Sequence, residues 1–158
     1  MSTAHHYHLT ITWTGNAGTG TSGYAEYGRN HTIQANGKPM IYGSSDAAFR
    51  GDVQHYNPED MLVSSLSSCH MLWYLHLCAD AGIIVTQYVD HAIGTMEVVH
   101  NGSGRFIEVI LHPKIVVADI AMVDKAIALH REAHKMCFIA NSVNFPVTHN
   151  PLVEVAEQ

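Results

Sequence analysis

Positive charge is scarce in this sequence: four lysines and four arginines stand against fourteen acidic residues in 158, for a formal net charge of -6. The eight cations are scattered, so there is no basic patch of the kind that binds nucleic acid or an anionic membrane. Cysteine is also sparse. Three residues are too few and of the wrong parity for a disulfide framework, which leaves core packing, metal ligation or redox chemistry. The opening MSTAHHYHLTITW lacks a basic segment followed by an apolar one, so no secretory signal is visible and a cytoplasmic location is expected. In that setting the sequons at Asn30 and Asn101 carry no meaning. Repeats, low-complexity tracts and charge blocks are missing too, and the length fits one domain.

What is present is an α+β alternation. HLTITW (8–13) alternates Leu9, Ile11 and Trp13 with polar residues, the period of a half-buried strand. The glycine-rich GNAGTGTSG that follows reads as a turn or loop. Hairpins are expected around Asn36-Gly37 within 31–41 and around Asn101-Gly102 within 90–117, because Asn-Gly takes up the positive φ angles of tight turns. PLVEV (151–155) reads as a short edge strand.

Two helices stand between these strands. The first has Asn57 as N-cap, Pro58 at its first position and Glu59 and Asp60 beside the positive end of the helix dipole, and Gly82 stops it. Its span is about 36 Å at 1.5 Å per residue. The second runs from Asp119 as N-cap to about residue 136, with Val123, Ala126, Ile127, His130 and His134 on one face.

From Met61 to Ala79 the first helix has no formal charge. Four serines, two histidines and flanks without a Lys/Arg bias argue against a membrane span. A helix apolar nearly all round is otherwise buried. A chain this short has little material to cover it on every side, and Ser64 and Ser68 form a small-residue strip, so an obligate homodimer is expected.

The cysteines differ in place. Cys78 faces away from Cys69 on the first helix and reads as a small core residue. Cys137 follows His130 and His134 in HREAHKMC, and these three residues form a candidate zinc set. The H-E-x-x-H pattern is missing there, and no second ligand pair stands nearby. A cysteine hydrolase would need a base near Cys69. His70 points about 100° away around the helix, and His76 is about 10 Å along it.

NPEDMLVSSLSSCHM resembles the first active-site segment of the OsmC/Ohr family, the osmotically inducible and organic-hydroperoxide-resistance proteins. There Asn-Pro-Glu precedes a peroxidatic cysteine by the spacing of Glu59 and Cys69. HKMCFIANSVNF resembles the second segment, which carries the resolving cysteine, here Cys137. Phe138 replaces the proline that many members have next. The order of elements agrees over nearly the whole chain.

The resemblance implies an OsmC-like fold in one domain, residues 1–158, and an intertwined homodimer. Antiparallel sheets would pack around a long buried central helix, about 58–81, with lobes of about 1–56 and 84–158. It implies a thiol peroxidase with no bound cofactor or metal. A hydroperoxide would oxidise Cys69 to a sulfenic acid, Cys137 would close a disulfide, and a dithiol such as a lipoylated protein would reopen it. The family's arginine that pairs with the glutamate falls on Arg50, with Arg29 in reserve; either also fits an exposed surface cation.

Chemistry limits how the rate is raised. A thiol of pKa about 8.5 is roughly 3 % ionised at pH 7, and lowering its pKa by 2–3 units costs about tenfold in nucleophilicity, so ionisation alone gains only a few-fold. The rest falls to orienting the peroxide and stabilising its leaving oxygen, work for a guanidinium held by Glu59. Glu59 and Cys69 are about 15 Å apart along one helix, so each site is expected to take Glu59 from the partner. Met71, Leu72 and Trp73 favour an organic hydroperoxide, or are simply core. The alternative is a non-enzymatic metal- or small-ligand-binding protein using His130, His134 and Cys137.

Overall fold

The computed structural model describes residues 3–156, and the chain divides into two compact units, one through Met61 and the other from Leu62. In the first unit, β1 (Thr10–Trp13), β2 (His31–Gln34) and β3 (Ile41–Gly43) form an antiparallel sheet in that order. The β2–β3 hairpin closes through the expected Asn36-Gly37 turn, where Gly37 has φ 72°. β1 departs from expectation: all four residues are exposed, and Ile11 is 63 % accessible. The alternation predicted a strand correctly but not its burial.

The first helix, α1 (Pro58–Asp80), has the predicted ends. Asp60 N donates to Asn57 Oδ1 at 2.7 Å, and Asn57 N donates back to Asp60 Oδ2 at 3.2 Å, a reciprocal cap that satisfies two otherwise orphaned groups. At the other end Gly82 has φ 73°, and the amides of Gly82 and Ile83 donate to the carbonyls of Ala79 (3.1 Å) and Cys78 (2.8 Å). That is a Schellman stop, which needs a residue tolerant of the left-handed region.

In the second unit α1 meets two sheets, β4 (Val85–Asp90), β7 (Pro113–Val117) and β9 (Leu152–Val155), and β5 (Ile93–Val98), β6 (Gly104–Leu111) and β8 (Val147–His149). The β5–β6 hairpin turns at Gly102 as expected, while β4 and β8 lie outside the strands read from the sequence. β8 pairs parallel with β6, and β9 pairs parallel with β7. Residues 104–117 and 147–155 therefore run side by side and change sheets together, at His112 and at Asn150-Pro151. Asn150 N donates to Leu111 O at 2.8 Å across that switch. The Asp90 carboxylate bolts it to α1, accepting from His112 N (2.7 Å) with one oxygen and from the Ser67 hydroxyl with the other.

Only one stripe of α1 is fully buried in the protomer: Leu66, His70, Tyr74 and Cys78. Steps of four residues drift about 40° each, so the stripe winds around the helix. Leu66 therefore packs with Val109 and Leu111 of β6, while Tyr74 and Cys78 pack with Ile115 and Val117 of β7 and with Ala126 and Ala133. The single chain does not cover the helix on every side: Leu72 is 63 % exposed.

Those alanines belong to the second helix. Asp119 caps a short 3-10 turn by accepting from Ala121 N at 2.8 Å, and α2 (Val123–Met136) continues from it. Its buried face is Ala126, His130 and Ala133; Ile127, which the sequence reading put on one face with Ala126 and His130, is 44 % exposed. Small alanines let α2 approach closely, and Ile127 sits just past the edge of their stripe.

Candidate active site

α1 carries Cys69 in a half-buried position, and Cys137 is the residue that ends α2. The two thiols, 68 residues apart in sequence, lie within hydrogen-bonding reach of each other, and all three cysteines are free. Burial first, and then the neighbouring Cys69 thiol, push Cys137 up to about 11. The amides of Ala140 (3.4 Å) and Ile139 donate to its sulfur and offset part of that rise. Cys78 is buried elsewhere, with its thiol also pushed up by burial.

These environments separate the roles open to each thiol. Cys137 is 1 % accessible and holds its proton tightly, so it is a poor first nucleophile. Cys69 is the more accessible of the pair. One turn further on, the Trp73 ring meets the Phe138 ring edge-on (centroids 5.6 Å, 90°), so an aromatic pair flanks the two cysteines. Leu72, Trp73 and His76 line a shallow open depression on this side of α1.

Local histidines do not serve Cys69 as a base. His70 lies in the core and bonds to His130, and His76 is exposed and paired with Asp80 at 3.4 Å. Nor do His130, His134 and Cys137 converge: His130 Nδ1 faces His70, the His134 ring meets His149 (5.8 Å), and Cys137 faces Cys69. Among the described residues no group of three or more His, Cys, Asp or Glu is placed to hold a metal ion, so the metal reading gains no support.

What the sequence reading missed is a buried histidine cluster around the cysteine-bearing helices. His70 Nε2 and His130 Nδ1 are 3.0 Å apart, with ring centroids 5.3 Å apart and planes within 10°. Nitrogens that close, in rings that distant, must point straight at each other, so the rings lie end to end and nearly coplanar, sharing one N–H···N hydrogen bond. By contrast Tyr74 stacks face to face on His130, at 3.9 Å and 14°. His149, at the sheet switch, packs against both histidines at 5.3 and 5.9 Å. Burial, together with the neighbouring histidines, lowers His70 to about 4 and His130 to about 3. The only available sign was the HxxxH spacing on α2; nothing local pairs His70 with a residue sixty positions away.

Arg50, Arg29 and Glu59 belong to the first unit. Arg29 is held by the carbonyls of Tyr24 (2.8 Å) and Tyr27, with its guanidinium 4.4 and 4.0 Å from their ring centres, which commits it to the local loop. Arg50 is exposed, ends a 3-10 turn in the left-handed region (φ 66°), and lies 6.0 Å from the Tyr24 ring. Glu59 sits in the first turn of α1, ten residues before Cys69 on the same helix. Among the described residues, Arg50 and Glu59 form no ion pair within the protomer.

The OsmC-like protein family matches residues 51–151, which include both cysteines and every element from α1 to β8. The chain belongs to this family. An OsmC-like protein of unknown function from Vibrio cholerae has the same fold, with TM-score 0.84 and 27 % identity over 94 % of this chain and 100 % of the other. An organic hydroperoxide resistance protein from Elizabethkingia anophelis superposes with TM-score 0.70 and 21 % identity, over 99 % and 100 % of the two chains. One from Legionella pneumophila gives 0.69 and 15 %, over 97 % and 99 %. No curated relative matches the chain by sequence. No helix among the described residues is long and apolar enough to cross a membrane.

Proposed function

We propose that the protein reduces hydroperoxides through Cys69 and Cys137. The observation that carries this reading is the meeting of the half-buried Cys69 thiol with the buried, proton-retaining Cys137 thiol across two helices. In the first step Cys69 sulfur attacks the peroxide, the O–O bond breaks, and the alcohol leaves with the thiol proton. Cys137 sulfur then attacks the Cys69 sulfenic acid, forming the S–S bond and releasing water. A dithiol, such as a lipoylated protein, returns both thiols. Family membership and the names of two relatives favour this chemistry, and the Trp73–Phe138 pair and Leu72 favour an organic substituent on the peroxide.

Arg50, braced by Glu59, is assigned the stabilisation of the leaving oxygen. As these two are not paired within a protomer, the bracing is assigned to the homodimer, in which one subunit's Glu59 serves the site of the other. Exposed apolar residues on α1 and β1, including Leu72 and Ile11, favour such an assembly. The whole chain acts as one domain, as the likeness to a solved OsmC-like structure over 94 % of it favours.

Intact-mass analysis and peptide mapping of reduced protein after one equivalent of an organic hydroperoxide test the reading. The expected product has lost two hydrogens and links Cys69 to Cys137; Cys69→Ser abolishes the reaction, and Cys137→Ser leaves a trappable sulfenic acid. Wild-type protein that oxidises no faster than Cys69→Ser refutes it.

A further inference from the structure

His70 and His130 have no part in the peroxide chemistry above, yet each is almost fully buried, at 1 % and 0 % accessible. His70 directly follows Cys69 on α1, and His130 lies two turns before Cys137 on α2. Their in-line hydrogen bond, reinforced by Tyr74 of α1 lying flat on His130, therefore ties together the two helices that deliver the thiols. A buried imidazole pair is a costly way to join helices. The outer nitrogens, His70 Nδ1 and His130 Nε2, are left without protein partners, where apolar side chains of similar volume would leave none. What the pair adds over apolar packing is direction: an N–H···N bond holds only over a narrow range of distance and angle, so it specifies the register of α1 against α2.

We propose that the His70–His130 hydrogen bond is a positioning device that holds Cys137 at disulfide-forming distance from Cys69. This rests on the pairing of those two cysteines, but not on what oxidises them. Glutathione disulfide suffices to test it. In that exchange two protein thiols become one internal S–S bond while glutathione disulfide is reduced to two glutathione thiols, so the equilibrium constant measures how well the two sulfurs are held together. A displacement of about 1 Å costs up to about a hundredfold in a positioned reaction.

The experiment equilibrates full-length protein in glutathione redox buffers and quantifies the Cys69–Cys137 disulfide by acid-quenched mass spectrometry. Position 70 offers a graded series. His70→Gln places an amide where Nε2 stood and can still pair with His130; His70→Asn is polar but too short; His70→Leu removes the bond while keeping the bulk. The expected result is an equilibrium constant within about threefold of wild type for His70→Gln and at least about tenfold lower for His70→Asn and His70→Leu.

Asn and Gln variants that match each other, whether both near wild type or both reduced, overturn the proposal, and this comparison stands even if the Leu variant fails to fold. The complementary pair at position 130 is His130→Asn, which preserves the Nδ1 position, and His130→Gln, which overshoots it. Addition of an organic hydroperoxide with a sulfenic-acid trap provides a separate arm. In the variants that lose the bond, Cys69 sulfenic acid forms at the wild-type rate and accumulates; equal slowing of its formation and its resolution counts against positioning. Failure of every form to react with peroxide, with the glutathione series intact, removes the peroxidase reading and leaves the positioning role standing.

Discussion

Acidification from pH 8 to pH 5 provides a quantitative test of the buried histidine pair. The folded protein holds His70 at about 4 and His130 at about 3, both below the 6.5 of an unfolded histidine. The unfolded chain therefore takes up protons first as pH falls. Stability is lost from about pH 6.5 downward, and the loss saturates below the folded values. At pH 5 an unfolded histidine favours its protonated form by about thirtyfold, which corresponds to about 2 kcal/mol for each ring that stays neutral in the fold. Because the two rings share one hydrogen bond and titrate as a pair, their sum of about 4 kcal/mol is an upper bound. His149, also lowered by burial, acts in the same direction.

The titratable groups facing the pair give an added proton no compensation: His134 on α2 and His149 on β8, with Arg131 acting on the latter, oppose it, and Tyr74 of α1 stacks on His130. Urea unfolding at fixed protomer concentration, at pH 8, 6 and 5, is expected to show a loss of about 2–4 kcal/mol, a large share of the 5–15 typical of a domain. His130→Asn, which cannot titrate, should lose roughly half as much over the same interval. A wild-type stability constant to within about 0.5 kcal/mol, or an equal loss in His130→Asn, refutes the reasoning.

Other predictions follow from particular contacts. At pH 8 a thiol of pKa about 11 is roughly a thousandth ionised, and Cys137 is also 1 % accessible, so it should alkylate more slowly than the half-buried Cys69; mass-resolved labelling in which Cys137 reacts first contradicts its assignment. Asn57→Ala removes the acceptor for Asp60 N and should cost about 1 kcal/mol, read as a lower thermal midpoint; an unchanged midpoint would count against the cap. Gly82→Ala forces a Cβ into the left-handed region at the end of α1 and should cost about 1–2 kcal/mol in the same assay. Leu66→Ala, at a fully buried site against Val109 and Leu111, should cost about 2–5 kcal/mol; a loss under 1 kcal/mol would mean that the site collapses to fill the cavity.

Local chemistry made much of the fold legible. Asn57 and Gly82 mark both ends of α1 because caps and stops depend on a few adjacent residues, and the turns at Gly37 and Gly102 depend on one positive φ each. β8 escaped because VTH is three residues long and pairs in parallel with a strand far back in the sequence. β1 was read as half-buried because alternation reports which side is apolar, not whether anything covers it.

The candidate site divides in the same way. Cys69 and Cys137 were singled out by the resemblance of their segments to the OsmC/Ohr family, whereas the opposite placement of Cys78 followed from helical geometry, which spacing along a known element fixes. The sequence by itself thus determined the main helices, their caps, two hairpins and the placement of Cys78 away from Cys69. Only the tertiary structure decided that His130 pairs with His70 rather than joining His134 and Cys137, and that His149 completes the cluster from the sheet switch. The physical reason is that a buried imidazole takes its partner from whichever elements pack around it, and that packing is set by the shared burial of the α1 stripe, the alanine face of α2 and two sheets, not by any short run of residues.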